Sequence, residues 1–286
     1  MTNSIADIRS SIADARRSAL DEGIADPRVV LVPTMGALHE GHLALVDRAS
    51  ELGDIVVVSI FVNPLQFGPK EDLSSYPRTL DNDVALLAER GVTLVFAPTA
   101  GEMYPDGNVA TRVSAGDIGS RYEGRTRPGH FDGVLTVVSK LFHIIEPDVA
   151  VFGEKDGQQL FLVKRMARDL NFPVEVHGVE TVRADDGLAL SSRNAYLDDA
   201  ERRSARVLSA ALEAAASSAD RGIDAIVAAA QSVIVGEPRV ELDYLAVVDP
   251  ATFLPVDGNH HGLATVLIAA RVGTTRLIDN RTLFVN

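Results

Sequence analysis

The larger, N-terminal part of the chain alternates between two hydrophobic patterns. Short continuous apolar runs rich in Val and Ile are followed by longer segments in which apolar residues recur every three or four positions. Runs of the first kind are typical of strands buried on both faces of a parallel sheet, and the second pattern is typical of amphipathic helices. The runs lie at residues 29–32, 54–62, 92–97 and 148–152, and residues 173–179 are expected to add a further strand. The pattern predicts an α/β fold whose N-terminal domain is Rossmann-like, with a parallel sheet of about five strands.

The pattern changes near residue 181. Asp186 and Gly187 form a strong hairpin signal, and two helical segments follow at residues 198–218 and 223–234. An alternating strand at residues 240–245 precedes shorter strands at residues 263–270 and 275–278. We therefore expect a first domain over residues 1–181 and a smaller α+β domain over residues 182–286.

Two histidines follow the first apolar run, at the turn into a helix. His39 and His42 are three residues apart, so both can lie on the first turn of that helix. A helix N-terminus carries partial positive charge and N–H groups that attract anions. Gly36 and Gly41 would allow the backbone to approach a ligand closely. These features favour a nucleotide phosphate site, although a turn glycine and two ordinary polar residues would leave the same pattern.

Polar turns also follow other predicted strands. Asn63 and Gln66 begin a long connection that runs to residue 79, and amide side chains suit hydroxyls and carboxylates. The turn at residues 153–159 contains Lys155, a natural phosphate partner, and Asp156, which could accept from ribose hydroxyls. Further along, Ser191, Ser192 and Arg193 place two hydroxyls beside a guanidinium, which suits a polyphosphate tail. Each turn taken alone could equally be an ordinary capped turn or loop.

Composition narrows the class of partner. The chain of 286 residues is 46% hydrophobic and 23% charged, which is ordinary for a globular protein. Its net charge of −13 disfavours a broad nucleic-acid or anionic-membrane surface. The chain has no cysteine, which excludes disulfides and thiolate chemistry. No apolar run approaches the roughly 20 residues of a membrane span, and the N-terminus lacks a signal pattern, so we expect a cytoplasmic protein.

Six motifs occur in order along almost the whole chain, and together they carry a specific resemblance. The chain resembles the pantothenate synthetase (pantoate–β-alanine ligase) family, within the nucleotidyltransferases that have an HxGH-type motif. The motifs lie at residues 33–42, 61–67, 76–79, 127–131, 151–156 and 190–194.

The resemblance implies an ATP-dependent ligation with Mg²⁺, through an enzyme-bound pantoyl adenylate. The pantoate carboxylate would attack the α-phosphorus of ATP, releasing pyrophosphate, and the β-alanine amine would then displace AMP. The resemblance also implies a homodimer and a C-terminal domain that acts as a lid.

Residue roles follow from the same resemblance. The catalytic set, which contacts the phosphates and the transition state, is His39, His42, Lys155, Ser191, Ser192 and Arg193. The ATP-binding residues are Met35, Gly153 and Asp156. Gln66 and Gln159 are implied to hold pantoate, in a pocket that is completed by Asn63, Tyr76, Arg127 and His130.

Two positions depart from the family pattern. Gly157 stands where a larger, often aromatic residue is expected, and this could loosen the loop beside Lys155. Residues 81–83 stand where family members can carry more carboxylates. We therefore assign no protein ligand to a metal, and the phosphates themselves would supply most of the Mg²⁺ coordination.

Two other functions use parts of the same pattern. An adenylyltransferase that moves AMP onto a phosphate would share the HxGH motif, but it would call for more basic residues than Gln66 and Gln159 provide. A nucleotide-sensing module without catalysis would need one phosphate loop, whereas this chain has three, together with a polar acceptor pocket.

Overall fold

The computed structural model describes residues 1–68, 73–74, 76–107 and 109–286. The chain divides into two compact units. The first unit contains Met1–Glu154 and Leu162–Val179, and the second contains Lys155–Phe161 and Glu180–Asn286. The sequence did not indicate that residues 155–161 group with the C-terminal part of the chain.

The first unit is built on a parallel sheet in the order β3-β2-β1-β4-β5. All four strand pairings are parallel, which confirms the predicted Rossmann-like α/β fold. The strands are β1 (Val29–Thr34), β2 (Ile55–Ile60), β3 (Leu94–Phe96), β4 (Val149–Gly153) and β5 (Glu175–Val179). The helices up to β5 are α1 (Ile5–Asp21), α2 (Glu40–Leu52), α3 (Leu80–Glu89), α4 (Ala100–Met103), α5 (Glu123–Thr126), α6 (His130–Ile145) and α7 (Gly157–Asp169).

The centre of this sheet is buried on both faces. The first four side chains of β1 have no solvent exposure, and all six residues of β2 are buried. On one face, alternate residues of these strands pack against Leu45, Val46 and Ala49 of α2. Burial of one such aliphatic side chain contributes about 1.5–3 kcal/mol. The apolar runs at residues 29–32, 54–62 and 148–152 therefore correspond to the three central strands.

Several local features bear on the site. Helix α6 begins at His130, after Gly129 in a left-handed conformation. The segment between β3 and α6 contains the short helices α4 and α5. Thr79 occupies the N-cap position of α3, but its side chain makes no capping bond and donates instead to Asp83. The connection at residues 63–79 starts with a 3₁₀ turn, Pro64–Gln66, and its residues 69–72 and 75 lie outside the described residues.

The second unit contains an antiparallel sheet in the order β6-β7-β8. Its elements are α8 (Asp199–Ala205), α9 (Val207–Ala216), α10 (Ile223–Val235), β6 (Val240–Val248), β7 (Gly262–Val272) and β8 (Thr275–Val285). The predicted helix at residues 198–218 is two helices that meet at Arg206. Apolar residues of α9 and α10 pack against alternate residues of β7 and β8, including Val266 and Ile268.

The last two strands are longer than the sequence indicated. Strands β7 and β8 have 11 residues each, and in β8 charged and polar residues interrupt the apolar pattern without interrupting the strand. Asp279 is one of these residues, and it is only 4% exposed. The predicted hairpin at Asp186-Gly187 is present, with an antiparallel bridge between Arg183 and Ala189. Within the described part of the chain, no helix is long and apolar enough to cross a membrane.

Candidate functional site

The histidine motif forms the turn between β1 and α2. Gly36 and Ala37 both have positive φ, 80° and 52°, and the chain then turns into α2 with His39 as its N-cap. The His39 Nδ1 atom accepts the N–H of Gly41 at 3.1 Å, and the His42 Nδ1 atom accepts the N–H of His39 at 3.4 Å. The two ring centroids are 4.1 Å apart. The spacing seen in the sequence therefore produces a reciprocal capping box made of two imidazoles.

These bonds determine what the histidines can offer chemically. An Nδ1 atom that accepts a backbone N–H carries no proton in the neutral ring, so the proton of each neutral ring is on Nε2. Each histidine then presents an Nε2–H donor, and both stand at the positive end of the α2 dipole. This arrangement suits the stabilisation of negative charge on a phosphate.

The turn lies at the edge of the sheet where α/β proteins bind ligands. From β1 the chain proceeds outward to β2 and β3, whereas β4 lies on the opposite side of β1. The strand order therefore reverses between β1 and β4, and ligands bind at the carboxyl ends of the strands at such a point. Gly153 ends β4 there and is half-buried, with no atom within 4 Å of where a Cβ would lie.

A buried amide pair follows β2. Asn63 is 1% exposed and Gln66 is 8% exposed. The Asn63 Nδ2 atom donates to Gln66 Oε1 and to the carbonyl of Gly133, both at 3.1 Å. The Gln66 Nε2 atom lies 2.9 Å from the sulfur of half-buried Met35. The structure therefore brings the side chains of Met35, Asn63 and Gln66 into contact with one another.

Arg127, directly after α5, and His130, at the start of α6, both contact the turn at residues 63–66, which we call the amide turn. The His130 Nδ1–H donates to the backbone carbonyl of Gln66 at 2.8 Å, so His130 Nε2 accepts from Arg127 Nη1 at 3.0 Å. Arg127 Nη2 also donates to that carbonyl, at 3.5 Å. Tyr76 is buried and packs edge-on against Phe67, with the ring centroids 5.8 Å apart. Arg127, His130 and Tyr76 thus surround the amide turn.

Two residues of this cluster were missed by sequence reasoning. The Tyr104 hydroxyl donates to Asn63 Oδ1 at 2.8 Å, and burial raises the pKa of Tyr104. A Cβ added at Gly133 would lie 2.3 Å from the carbonyl oxygen of Leu65, so a glycine lets the turn rest on α6. A glycine inside an otherwise apolar helix face was the available signal for Gly133. Tyr104 lies in a segment without periodicity, which gave no signal.

Gly36 has close neighbours within the protein that the sequence did not indicate. A Cβ at Gly36 would lie 2.9 Å from Asp83 Oδ2 and 3.1 Å from the Ile60 side chain. The glycine therefore makes room for a carboxylate of α3.

The lysine turn belongs to the second unit. Lys155 is half-buried in the 3₁₀ turn Glu154–Asp156, and its backbone carbonyl accepts from Asn280 Nδ2 at 2.8 Å. The same Asn280 amide nitrogen would be 3.2 Å from a Cβ at Gly157. The turn that Gly157 was expected to loosen is therefore tied to β8. Asp156 is exposed, and Gln159 is half-buried in the first turn of α7.

The serine–arginine motif lies in the same unit. Ser191 caps the 3₁₀ turn Ser192–Tyr196, and its hydroxyl accepts the N–H of Arg193 at 3.3 Å. Ser191, Ser192 and Arg193 are all half-buried. A small, mainly apolar pocket is lined by Leu188, Leu208 and Leu277, and Lys155 and Ser191 also border it. The second unit thus places a lysine and a serine of the predicted catalytic set beside the same pocket.

The described residues contain no group of three His, Cys, Asp or Glu side chains that could hold a metal ion. The sheet topology and the histidine turn define the class: an α/β protein of the doubly wound type with two histidines at the reversal of strand order.

The chain belongs to the pantoate–β-alanine ligase family, whose model matches residues 1–282. It is 60% identical to the pantothenate synthetase of Leifsonia xyli subsp. xyli, over 96% of this chain and 97% of that protein. It is 57% identical to that of Mycolicibacterium smegmatis, over 90% of this chain and 81% of that protein. This chain is thus a ligase of pantothenate biosynthesis that forms a carbon–nitrogen bond.

Solved structures of the family have the same fold. The crystal structure of pantothenate synthetase from Thermus thermophilus has a TM-score of 0.89 and 48% identity, covering 98% of both chains. A pantoate–β-alanine ligase from Francisella tularensis has a TM-score of 0.77 and 32% identity, covering 98% of this chain and 96% of that chain. That structure is a complex with β-γ ATP and β-alanine.

Proposed function

We propose that the chain joins pantoate to β-alanine through a pantoyl adenylate formed from ATP, with release of pyrophosphate and AMP. A carboxylate and an amine do not condense readily in water, so the carboxylate needs a better leaving group. The complex of the Francisella tularensis relative with β-γ ATP and β-alanine supports ATP as the activating substrate. The single observation that carries the proposal is the pair of imidazoles whose Nδ1 atoms are both held by backbone N–H groups.

In the first step, a carboxylate oxygen of pantoate attacks the α-phosphorus of ATP. The bond from that phosphorus to the oxygen that bridges to the β-phosphate breaks, and pyrophosphate leaves with the electron pair. Negative charge accumulates on phosphate oxygens, so fixed donors are the main source of rate enhancement. We assign that role to the Nε2–H groups of His39 and His42.

The remaining phosphate contacts are proposed for the second unit. Lys155 supplies a cation for the phosphates, and Ser191, Ser192 and Arg193 supply hydroxyls and a guanidinium for the β- and γ-phosphates. Met35, Gly153 and Asp156 complete the nucleotide site, with Asp156 on the ribose. ATP enters as its Mg²⁺ complex, because phosphate oxygens are the hard ligands that this ion prefers.

Pantoate is proposed to bind at the amide turn. Gln66 and Gln159 would bind its hydroxyl and carboxylate groups, and Asn63, Tyr76, Arg127 and His130 would complete the pocket. The hydrogen bonds of Asn63 and His130 to Gln66 support this assignment, because they hold the turn in one conformation.

In the second step, the β-alanine amine attacks the acyl carbon of the adenylate. The bond from that carbon to the phosphate oxygen breaks, AMP leaves, and the nitrogen loses a proton to give the amide. Because acyl adenylates hydrolyse easily, residues 182–286 are proposed to act as a lid that excludes water. Homodimeric assembly is a further proposal that rests on the family resemblance, and the cytoplasmic location expected from the sequence is likewise a proposal.

The test is pyrophosphate release from ATP, Mg²⁺ and pantoate, with and without β-alanine. We expect one equivalent per active site without β-alanine and continuous turnover with it. Lys155→Ala should lower the rate of the first equivalent about 100-fold, as loss of a transition-state donor does. Gln66→Ala should mainly raise the KM for pantoate.

Lys164→Ala is the matched control for Lys155→Ala, because Lys164 is an exposed lysine on α7. A normal rate in Lys155→Ala, or an unchanged pantoate dependence in Gln66→Ala, would remove that residue from the site. Pyrophosphate release that does not depend on pantoate would overturn the proposed reaction.

A further inference from the structure

A carboxylate of α3 lies under the histidine turn. Asp83 is in the first turn of α3, and it has no solvent exposure. Its Oδ2 accepts the N–H of Ala37 at 2.9 Å, and its Oδ1 accepts the N–H of Leu38 at 2.9 Å. The Thr79 hydroxyl donates to Oδ1 at 3.1 Å. The buried carboxylate thus accepts hydrogen bonds from two segments of the chain, the histidine turn and the start of α3.

The backbone of the turn that is bonded to Asp83 has a conformation at residues 36 and 37 that is unfavourable for residues other than glycine. Gly36 and the following Ala37 both have positive φ, and only the first of them is a glycine. An L-residue such as Ala37 rarely adopts this conformation, and it persists only where the surroundings enforce it. Successive N–H groups in a turn of this kind form a concave anion site. Here the anion is a side chain of the protein itself, within van der Waals distance of Gly36.

His39 follows this segment directly. The N–H of Leu38 is bonded to Asp83, and the next N–H, that of His39, is bonded to His42 Nδ1. The orientation of these two neighbouring peptide groups therefore links the carboxylate to the imidazole pair. A change in the turn would rotate the N-cap of α2 and, with it, the direction in which each Nε2–H points.

We propose that Asp83 is a positioning residue for adenylate formation, which holds the turn at residues 35–38 so that His39 and His42 present their Nε2–H groups to the nucleotide. The inference rests on the proposed role of the histidines. Asp83 itself touches no substrate in this scheme, because its oxygens face the backbone of the turn and Thr79.

The test is Asp83→Asn, compared with Asp81→Asn. Asparagine keeps the size of the side chain, but its NH₂ group would face a backbone N–H, so one of the two bonds is lost. Asp81 lies in the same helical turn but is exposed, so its substitution removes the same charge without touching the histidine turn. The measurement is the burst of pyrophosphate without β-alanine, in which the amplitude counts competent sites and the rate reports the chemistry.

We expect Asp83→Asn to keep the burst amplitude and lower the burst rate about 10- to 100-fold, since small misplacements of catalytic groups have effects of this size. Asp81→Asn should behave like the parent chain. A parent-like rate in Asp83→Asn, or a loss confined to the amplitude, would overturn the inference. If Asp83→Asn does not fold, the same measurement is made on Thr79→Val, which removes one hydrogen-bond donor to the carboxylate. A slower burst in Thr79→Val supports the inference, and an unchanged burst contradicts it.

His39→Ala and His42→Ala separate this inference from the function on which it rests. Normal bursts in both would show that the histidines do not stabilise the transition state. Slow bursts in both, together with a normal burst in Asp83→Asn, would leave the proposed function standing and reject the role of Asp83 alone. As a readout beyond activity, ¹⁵N spectra of the imidazoles should show the Nε2–H tautomer at both histidines, and altered shifts in Asp83→Asn.

Discussion

Tyr104 illustrates how a single residue outside the recognised motifs can hold a motif residue in place. Its hydroxyl donates to Asn63 Oδ1, and Asn63 in turn donates to Gln66. The same Oδ1 also accepts the N–H of Leu65, at 3.3 Å. The amide of Asn63 is thus oriented by its neighbours, and its Nδ2 atom is directed at Gln66.

We predict that Tyr104→Phe weakens both stability and pantoate binding. Loss of one buried hydrogen bond costs about 1 kcal/mol in the free energy of unfolding. Because Asn63 loses a partner that orients its amide, the KM for pantoate should rise while the KM for ATP changes less. Urea unfolding and steady-state kinetics measure the two effects. Tyr244→Phe removes the same atom from β6 in the second unit, and it should leave the KM for pantoate unchanged.

The same substitution has a pH signature. Burial raises the pKa of Tyr104, whereas in the unfolded chain a tyrosine titrates near its ordinary value of about 10. Above that pH the unfolded state loses the proton and the folded state keeps it, so the free energy of unfolding falls as the pH rises. Tyr104→Phe should reduce this alkaline loss. An identical pH dependence in the variant would contradict the raised pKa.

At the scale of elements, helix α6 supports the amide turn from two places. His130, in its first turn, bonds to the carbonyl of Gln66, and the carbonyl of Gly133 accepts from Asn63. The absence of a side chain at Gly133 brings the 3₁₀ turn Pro64–Gln66 against the helix backbone. One helix therefore determines where the residues that follow β2 can lie.

Gly133→Ala tests this contact. Alanine is favoured over glycine in a helix by about 1 kcal/mol, but here the Cβ would lie 2.3 Å from Leu65 O and 2.7 Å from Gln66 N. The backbone of the turn would have to move, so we expect a net loss of stability and a raised KM for pantoate. Gly101→Ala in α4 is the control, because its Cβ would meet only the Thr99 hydroxyl, at 3.8 Å. A stabilised Gly133→Ala with a normal KM would show that the contact is unimportant.

At the scale of the whole molecule, each unit has its own hydrophobic core. The second unit also contains a two-point ion pair, in which Arg183 donates to Asp279 at 2.6 and 3.0 Å. The Asp279 side chain is 2% exposed, and its bond to Arg183 raises the pKa of the guanidinium. This pair joins the strand before the Asp186-Gly187 hairpin to β8.

We predict that Asp279→Asn destabilises the second unit by about 2 kcal/mol, because the buried Asp279 side chain loses a charge-assisted hydrogen bond to a guanidinium that is itself only partly buried. Hydrogen–deuterium exchange should accelerate in β7 and β8, with β1 and β2 as an internal reference. Glu213→Gln is the control, because it breaks an exposed pair with Arg281 of the same strand, and such pairs contribute only about 0–1 kcal/mol. Equal effects of the two substitutions would show that burial of the pair has no energetic consequence.

Much of the fold and part of the candidate site could be predicted from the local pattern of apolar and polar residues. Continuous apolar runs predicted β1, β2 and β4, because a strand buried on both faces has few polar positions, and β5 was predicted at the edge of the sheet without such a run. The positions of His39 and His42 at a strand-to-helix turn were also predictable, since three-residue spacing places them on one helical turn. The length of β8 was underestimated, because Asp279 is a charged residue at a buried position of the strand, where its charge is paired with Arg183.

The sequence by itself determined the family, the parallel sheet and the set of polar residues at the strand ends. Each of these features depends on residues that are close to one another in the sequence. The tertiary structure alone decided which distant side chains hold those residues: Asp83 under the histidine turn, Tyr104 and Gly133 at the amide turn, and Asn280 at the lysine turn. The physical reason is that backbone N–H and C=O groups are the same at every residue. A sequence therefore gives no sign of which remote carboxylate, hydroxyl or amide will bond to them until the chain has folded.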